Sequence, residues 1–164
     1  MKEINIRDIK KSAVEMIADG WALVTAGNKE KFNTMTVSWG ALGEIWGKDA
    51  AFIFIRPPRY TFEFTEKEER FTISVYAPEY KDALKICGSK SGRDIDKSAA
   101  TGLTPVYTDG TVTFEQAEYT LVCRKMAGQF LDPAGFIDGA IENNYANKDY
   151  HKMYIGEILK VYAK

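Results

Sequence analysis

The sequence predicts a mainly β protein, an antiparallel β-barrel with a few peripheral helices. Some seven segments rich in β-branched and aromatic residues recur along the chain, which is typical of strands. Few helix-like segments lie between them, so the regular alternation of strand and helix that predicts a parallel sheet is absent. Asp109 and Gly110 form a hairpin signal between two short strand-like segments. We therefore expect residues 1–164 to form a single domain of this class.

The elements of the N-terminal third follow from periodicity and from breaker residues. Ile6 to Asp19 predicts a helix, because apolar residues recur there at steps of three and four and Gly20 then ends the pattern. Trp21 to Thr25 predicts a strand, and a polar turn separates it from a second strand, Thr34 to Trp39. Ala51 to Ile55 is continuously apolar and stops at two prolines, which predicts a strand buried on both faces.

The remaining elements are predicted in the same way. Tyr60 to Glu69 is charged and amphipathic and predicts a short helix, and Pro78 opens a second helix that runs to about Cys87. Asp132 to Lys148 contains scattered Gly, Asn and Asp and is expected to be a loop with a short helix. The other alternating segments predict strands: Phe71 to Tyr76, Leu103 to Thr108, Val112 to Phe114, Tyr119 to Ala127 and Met153 to Tyr162.

Large aromatic side chains are usually core residues, and five of them are expected to be mostly buried. They are Trp21, Trp39, Trp46, Phe52 and Phe54. The two cysteines, Cys87 and Cys123, are expected to be buried thiols without a lowered pKa.

Composition excludes several classes of function. A net charge of −1 offers no general attraction to nucleic acid or to an anionic membrane surface. One histidine and two isolated cysteines do not make a zinc site, so no metal is expected. The first residues lack the pattern of a leader peptide, and no apolar run reaches the length of a membrane span. We therefore expect a soluble cytoplasmic protein.

The strand-like stretch Asn33 to Gly40, NTMTVSWG, has an unusual row of hydroxyls. Its alternation places Thr34, Thr36 and Ser38 on one face of the predicted strand. Such a row is either the wet face of a sheet or a set of hydrogen-bonding groups for a ligand. Asn33, Thr36 and Ser38 are the candidate ligand-binding residues.

Two further clusters favour a phosphorylated ligand. In RPPRYT, Arg56 to Thr61, two arginines follow a buried strand, and the threonine stands where a helix begins with free backbone N–H groups. In GSKSGRD, Gly88 to Asp94, a Gly-Ser turn lies between basic residues and can form an anion-binding concavity. Neither matches a Walker loop or a dinucleotide fingerprint. Each cluster alone is also compatible with an ordinary strand exit or surface loop.

The order of these motifs resembles the flavin reductase-like family, which includes the flavoredoxins. NTMTVSWG is followed by a buried strand, by RPPRYT and by SGRDIDK at Ser91 to Lys97, and the segment His151 to Ile158 resembles a late strand of the family. The resemblance covers roughly residues 13 to 162. It implies an FMN-binding split barrel of antiparallel, Greek-key type, and a homodimer that holds FMN near the dimer interface.

The resemblance also implies a set of FMN-binding residues. Those expected at the flavin ring and the ribityl chain are Asn33, Thr36, Val37, Ser38 and Trp39, with Val37 and Trp39 contributing backbone. Those expected at the ribityl and phosphate end are Arg59, Tyr60 and Thr61, and those completing the phosphate site are Ser89, Ser91 and Gly92.

His151 is the candidate catalytic residue. In the family the corresponding histidine lies near the nicotinamide of NAD(P)H, whereas by itself a lone histidine before a strand is compatible with a surface or interface position. Family members commonly carry Asp directly before it, and Tyr150 stands there in this sequence. Tyrosine does not supply the charge with which a carboxylate would orient the ring.

The resemblance implies an FMN-dependent oxidoreductase that passes electrons from NAD(P)H through FMN to free flavin or another acceptor. The alternative is a flavoredoxin-type electron carrier with tightly bound FMN and a protein redox partner. A barrel that binds no flavin and acts as a binding module is a third possibility, and it leaves the three polar motifs unexplained.

Overall fold

Ten strands and three α-helices make up the fold. The computed structural model describes residues 1–164. The strands are β1 (Lys2–Ile4), β2 (Ala22–Gly27), β3 (Phe32–Val37), β4 (Gly40–Ile45), β5 (Lys48–Ile55), β6 (Arg70–Val75), β7 (Pro105–Thr108), β8 (Thr111–Phe114), β9 (Tyr119–Phe130) and β10 (Lys152–Ala163). The helices are α1 (Tyr60–Lys67), α2 (Lys81–Ser89) and α3 (Lys97–Thr101).

Eight of the strands form one antiparallel sheet. Its order is β3-β2-β6-β9-β10-β5-β4, with β1 added to β10, and β7 and β8 form a separate two-stranded ribbon. Every strand pair is antiparallel. Side chains from both ends of this order, such as Met35 on β3 and Ile53 on β5, belong to one cluster of 18 buried residues. The sheet therefore wraps around the main core, and the predicted mainly β, antiparallel class is confirmed.

A second, smaller core fixes the position of α2. Leu84 and Cys87 of the helix pack with Leu23 of β2 and Phe114 of β8 in a cluster of seven buried residues. Helix α2 therefore lies beside β3, and its C-terminus reaches the edge of the sheet. Both cysteines are buried as expected; burial raises the pKa of Cys87 to about 11 and that of Cys123 further still.

The predicted helix from Ile6 to Asp19 is wrong. A single 3₁₀ turn, Ile6–Asp8, is followed by extended backbone at Ile9, and a short π-helical turn covers Glu15–Asp19. Ser12 explains the break, because its N–H donates to the Glu15 carboxylate at 2.7 Å and its Oγ accepts from the Glu15 N–H at 3.1 Å. This reciprocal pair starts a new helical turn where the apolar pattern alone predicted continuity.

The hairpin of β4 and β5 also departs from expectation. β4 was not predicted, since its two glycines and mostly exposed side chains give little strand signal. β5 is not buried on both faces, because Phe52 and Phe54 are half-buried. The expected burial of Trp39 and Trp46 is wrong as well; they are 46% and 62% exposed. Aromatic residues on this side of the molecule are therefore available for contacts outside the monomer.

Residues 132–148 form the irregular segment that the sequence predicted. It contains two 3₁₀ helices, Pro133–Gly135 and Gly139–Asn144, each capped by the aspartate before it. Its last residues lie next to the start of β10. None of the helices in the structure combines the length and the apolar character needed to cross a bilayer.

Candidate functional site

Two adjoining clefts lie between β3, the start of α1 and the end of α2. The wide cleft has a volume of about 410 Å³, and the predicted residues that line it are Thr36, Ser38, Arg59, Ser89 and His151. The narrow cleft has a volume of about 220 Å³, and the predicted residues that line it are Asn33, Arg59, Tyr60, Thr61, Ser89, Ser91 and Gly92. Both are lined by Met35, Arg59 and Ser89, so they form one continuous groove.

Val37 and Trp39 are the two predicted site residues whose side chains do not line the groove. The Val37 side chain lies in the main core and is only 6% exposed, as the alternation of β3 requires. Trp39 lies just beyond β3, and its ring centroid is 4.9 Å from that of His151. Trp39 therefore flanks the mouth of the wide cleft next to the candidate catalytic residue.

The three hydroxyls of Thr34, Thr36 and Ser38 have different roles, and Ser38 lies just after the end of β3. The Thr34 hydroxyl is buried, donates to the Val24 carbonyl at 3.3 Å and lies 2.8 Å from the Thr25 hydroxyl. It therefore holds β2 and β3 together. The Thr36 hydroxyl donates to the Leu84 carbonyl of α2, and Ser38 is exposed at the rim of the wide cleft. Only Thr36 and Ser38 offer oxygen atoms to a ligand there.

Asn33 connects the two walls of the narrow cleft. Its side-chain amide donates to the Thr61 hydroxyl at 2.7 Å, which ties β3 to the first turn of α1. On its other side it meets Gly92, where an added Cβ would lie 1.9 Å from the Asn33 amide oxygen. Glycine at this position therefore keeps the bottom of the cleft open, because any side chain would displace Asn33 or fill the space.

Unpaired backbone donors converge on the narrow cleft. The N–H groups of Tyr60 and Thr61 belong to the first turn of α1, whose first donors have no acceptor within the helix, and no side chain caps them. The N–H groups of Ser91 and Gly92, in the loop that follows α2, also lack a protein acceptor. Helix N-termini and loops with free N–H groups of this kind bind anions.

Two cations at the same place have no carboxylate partner. Arg59 is half-buried and donates to the Gly88 carbonyl at 2.8 Å; its burial and, to a lesser extent, Arg56 lower its pKa. Lys97 is 7% exposed, and its ammonium donates to the Thr34 and Cys87 carbonyls at 2.8 and 2.7 Å. Burial lowers the pKa of Lys97 to about 8; a negative charge on Cys87 would oppose this shift, and the positive charge of Arg59 adds to it. Neither residue forms an ion pair.

His151 lies at the other end of the groove. It is 9% exposed, and its Nδ1 lies 2.9 Å from the Tyr145 hydroxyl. Burial, assisted by the positive charge of Arg56 and opposed by Asp149, lowers the pKa of His151 to about 4. The imidazole is therefore neutral at pH 7 and offers a hydrogen bond rather than a positive charge.

Tyr145, and not the residue before the histidine, holds the imidazole in place. Tyr150 turns away and donates to the Glu142 carboxylate at 2.9 Å. Asp149 is the acidic residue nearest to His151 in the sequence, and its carboxylate is paired with Arg56 at 3.0 Å. The stacked Arg56 guanidinium lies 5.2 Å from the Tyr145 ring and completes the cluster. A hydrogen bond with a neutral tyrosine thus stands where the resemblance implied a carboxylate partner.

Comparison with known protein families identifies the family of this chain. The family described as flavin reductase like domain matches residues 14–164. The chain belongs to the flavin reductase-like family. No curated protein matched it in a separate comparison.

Solved structures of flavin reductase-like proteins share the fold. An FMN-binding domain of a flavin reductases-like enzyme from Shewanella baltica matches with a TM-score of 0.71 and 19% identity, over 99% of this chain and 76% of that one. An FMN-binding protein from Thermus thermophilus matches with a TM-score of 0.71 and 20% identity, over 99% and 80%. A flavoredoxin from Methanosarcina acetivorans matches with a TM-score of 0.71 and 18% identity, over 100% and 76%.

Several residues that line the groove or support its lining in this flavin reductase-like chain were not predicted from the sequence. Lys97 ends the SGRDIDK motif and was not among the predicted site residues, since an isolated lysine gives no sign that it will be buried. Tyr145 lies in an irregular segment with no periodicity, so nothing in the sequence pointed to it. Trp21 was expected in the core and instead is half-buried and lines the wide cleft, with Lys81 3.8 Å from its ring centroid.

Proposed function

We propose that this chain binds FMN in the groove and passes electrons from NAD(P)H through it to free flavin or another acceptor. One observation carries the proposal: neither cleft is lined by a carboxylate, and the narrow one brings Arg59 and Lys97 together with free backbone N–H groups. Such a site favours a phosphate dianion. The family membership and the FMN-binding proteins among the structural neighbours support the same ligand.

In this proposal FMN would lie along the groove, with its phosphate in the narrow cleft and its ring in the wide cleft. Arg59, Lys97 and the N–H groups of Thr61 and Gly92 would bind the phosphate. The backbone and hydroxyls around Thr36 and Ser38 would bind the ribityl chain and the ring in the wide cleft. Bound FMN supplies the hydride and electron chemistry, for which the chain has no side chain of its own.

His151 would then orient the nicotinamide. It is neutral, it lines the wide cleft, and Tyr145 restricts the rotation of its ring. A neutral imidazole can hydrogen-bond to an uncharged carboxamide without placing a positive charge beside a reacting ring. Such a site would accelerate the reaction mainly by holding the nicotinamide and the flavin in contact.

A homodimer is part of the proposal. Large apolar side chains are exposed around the mouth of the wide cleft and on the neighbouring irregular segment: Trp39, Phe130, Ile137 and Ile141. A second copy would cover them and exclude water from the cleft. Light scattering should give a mass twice that of the 18.5 kDa chain, and a monomeric mass would contradict this part of the proposal. The cytoplasmic location stays a prediction.

The purified protein tests the proposal directly. We expect it to be yellow, with flavin absorbance that survives dialysis if FMN is tightly bound. Rapid mixing with NADH and with NADPH under anaerobic conditions should bleach that absorbance. Protein that neither carries FMN nor binds it on addition would contradict the proposal.

An electron carrier of the flavoredoxin type is the second candidate. It is favoured by Tyr150, which takes the place of the aspartate and bonds to Glu142 rather than to His151. A nicotinamide site that lacks its usual carboxylate is compatible with a chain that receives electrons from a protein partner. Retention of FMN together with no reduction by either nicotinamide nucleotide would support the carrier over the reductase.

Replacing His151 should separate FMN binding from its reduction. His151→Ala removes a side chain at the ring end of the groove and leaves the phosphate end untouched, so FMN affinity should stay within about twofold of the wild type. Reduction by NAD(P)H should slow about tenfold, because one positioning hydrogen bond is lost. Stopped-flow absorbance measures the rate. An unchanged rate would remove the nicotinamide role, and Tyr150→Phe serves as the control that should change neither quantity.

A further inference from the structure

Tyr145 is held in the buried position from which it reaches His151. It is 4% exposed, although it lies in the irregular segment before β10, and Phe136 stacks on its ring with the centroids 6.0 Å apart. Arg56 lies 5.2 Å from the same ring and donates to the Asn144 carbonyl at 2.8 Å, which ties the segment to the end of β5. Packing from both parts of the chain therefore sets the position of the Tyr145 hydroxyl.

The hydrogen bond between Tyr145 and His151 has a defined direction. The Tyr145 hydroxyl lies 2.9 Å from Nδ1 of His151 and has no other hydrogen-bond acceptor in the protein. Because buried polar groups are almost always hydrogen-bonded, the hydroxyl donates its only proton to Nδ1. Burial raises the pKa of Tyr145, so the phenol keeps this proton at neutral pH. Nδ1 is therefore the acceptor and carries no proton of its own.

The proton of the neutral imidazole is left on Nε2. In a neutral histidine, the hydrogen bond that one ring nitrogen makes decides which nitrogen carries the proton. Nε2 has no partner in the protein, and the only buried side-chain polar atoms without a partner belong to Tyr76 and Thr111. Nε2 is therefore accessible from the wide cleft, which the ring lines. His151 offers a free N–H group to this cleft, and the group that fits it is a hydrogen-bond acceptor.

We propose that Tyr145 fixes His151 in the tautomer protonated at Nε2, and that this N–H group donates to the carbonyl oxygen of the nicotinamide carboxamide. Tyr145 is then a positioning residue, which acts on the nucleotide only through His151. The nicotinamide half of the inference rests on the proposed function, whereas the tautomer is a property of the protein without any ligand. A donor at this place selects the nucleotide by its carbonyl oxygen and not by its amide nitrogen.

The nitrogen spectrum of the imidazole tests the tautomer. His151 is the only histidine, so a long-range proton–nitrogen correlation spectrum of the isotopically labelled protein contains the ring signals of one residue. At neutral pH we expect Nε2 to be protonated and Nδ1 to be unprotonated. Tyr145→Phe keeps the packed ring and lacks the hydroxyl, so the shifts of the two nitrogens should move towards each other as the second tautomer becomes populated. A wild type protonated at Nδ1 would overturn the inference, and so would a spectrum that Tyr145→Phe leaves unchanged.

Nicotinamide analogues test which atom His151 binds. Tyr145→Phe should slow the reduction of bound FMN by NADH and NADPH about threefold, less than His151→Ala does, because the imidazole is still present. The acetylpyridine analogue of NADH keeps the carbonyl oxygen and lacks the amide nitrogen, so the variant should lose the same factor with it. An unchanged rate with NADH and NADPH, or a loss that disappears with the analogue, would overturn the assignment of the donor.

Tyr150→Phe is the matched control. It removes a neighbouring hydroxyl that donates to Glu142 and not to His151, so it should change neither the nitrogen spectrum nor the rate. Changes in Tyr150→Phe equal to those in Tyr145→Phe would mean that general packing of the segment, and not the hydrogen bond to Nδ1, sets the tautomer. A wild type that neither nucleotide reduces would instead contradict the proposed function, and the spectrum would still decide the tautomer.

Discussion

Arg59→Ala is expected to weaken FMN binding about a hundredfold, because removing one partner of a desolvated charge pair costs about 2 to 5 kcal/mol. Arg59 lines both clefts, is half-buried and has no carboxylate partner in the protein. Burial lowers the pKa of Arg59, which means that the folded apoprotein disfavours the charged guanidinium and that a bound anion would stabilise it. The ligand phosphate would be that anion.

The apoprotein should tolerate this substitution. The Arg59 side chain donates to only one protein acceptor, the Gly88 carbonyl, at the exposed end of α2 where water can replace it. We expect the thermal midpoint of the apoprotein to change little, while the midpoint in saturating FMN falls. Differential scanning calorimetry with and without FMN measures both, and the titration gives the affinity.

Arg93→Ala is the matched control. Arg93 is the other arginine of the narrow cleft, but it is 46% exposed and pairs with the Glu63 carboxylate. Exposed ion pairs contribute about 0 to 1 kcal/mol, so FMN affinity should fall less than about fivefold. Equal losses in the two variants, or a larger one for Arg93→Ala, would show that general positive charge and not the buried guanidinium binds the phosphate.

The contrast between the two arginines shows what the sequence could predict. RPPRYT and GSKSGRD were recognised because turn residues and charges act locally, within a few positions of one another. Nothing local separates Arg59 from Arg93, since their difference in burial arises from tertiary contacts such as that of Arg59 with the Gly88 carbonyl of α2. The sequence therefore predicted segments that line the candidate groove and not the ranking of its cations.

Other departures have the same origin. The apolar pattern from Ile6 to Asp19 is typical of one helix, yet the helix is interrupted before Ser12. The reciprocal hydrogen bonds of Ser12 and Glu15 form a capping pair that starts a new turn there. The hydroxyls of Thr34, Thr36 and Ser38 form one pattern in the sequence, yet Thr34 bonds within the sheet while Ser38, just after β3, lines the wide cleft. Tyr145 reaches His151 from six residues away, through an irregular segment whose path no pattern encodes.

Lys97→Met should lower FMN affinity as much as Arg59→Ala does, and unlike Arg59→Ala it should also destabilise the apoprotein. The ammonium binds one carbonyl of β3 and one near the end of α2, so it holds the two walls of the groove together. Methionine fills a similar volume but leaves Thr34 and Cys87 without this donor, at about 1 to 3 kcal/mol for each unpartnered carbonyl. Relief of the buried charge offsets part of this cost. We expect a modest loss of apoprotein stability and about a hundredfold loss of FMN affinity, as for other truncated charge pairs.

The pH dependence of binding distinguishes the charge of Lys97 from its structural role. Its pKa of about 8 in the apoprotein means that the ammonium loses its proton above pH 8, whereas a bound phosphate would keep it charged. Binding above pH 8 must then take up a proton, so wild-type affinity should fall by up to about tenfold per pH unit. In the unfolded chain, Lys97 keeps its proton up to its ordinary pKa of 10.5. Between pH 8 and 10.5 the unfolded state therefore binds more protons than the folded state, so the stability of the apoprotein should rise with pH in this range.

Lys97→Arg completes the argument, because an arginine stays charged throughout this range. Between pH 7 and 9 a flavin phosphate is already a dianion, since the second pKa of a phosphate ester is about 6. The burial that raises the pKa of Cys87 to about 11 keeps that thiol neutral as well. Lys97 is then the group near the phosphate that titrates, so both Lys97→Met and Lys97→Arg should bind FMN with an affinity independent of pH, the arginine variant more tightly. A pH dependence that persists in Lys97→Met would assign the proton to another residue and leave Lys97 with only a structural role.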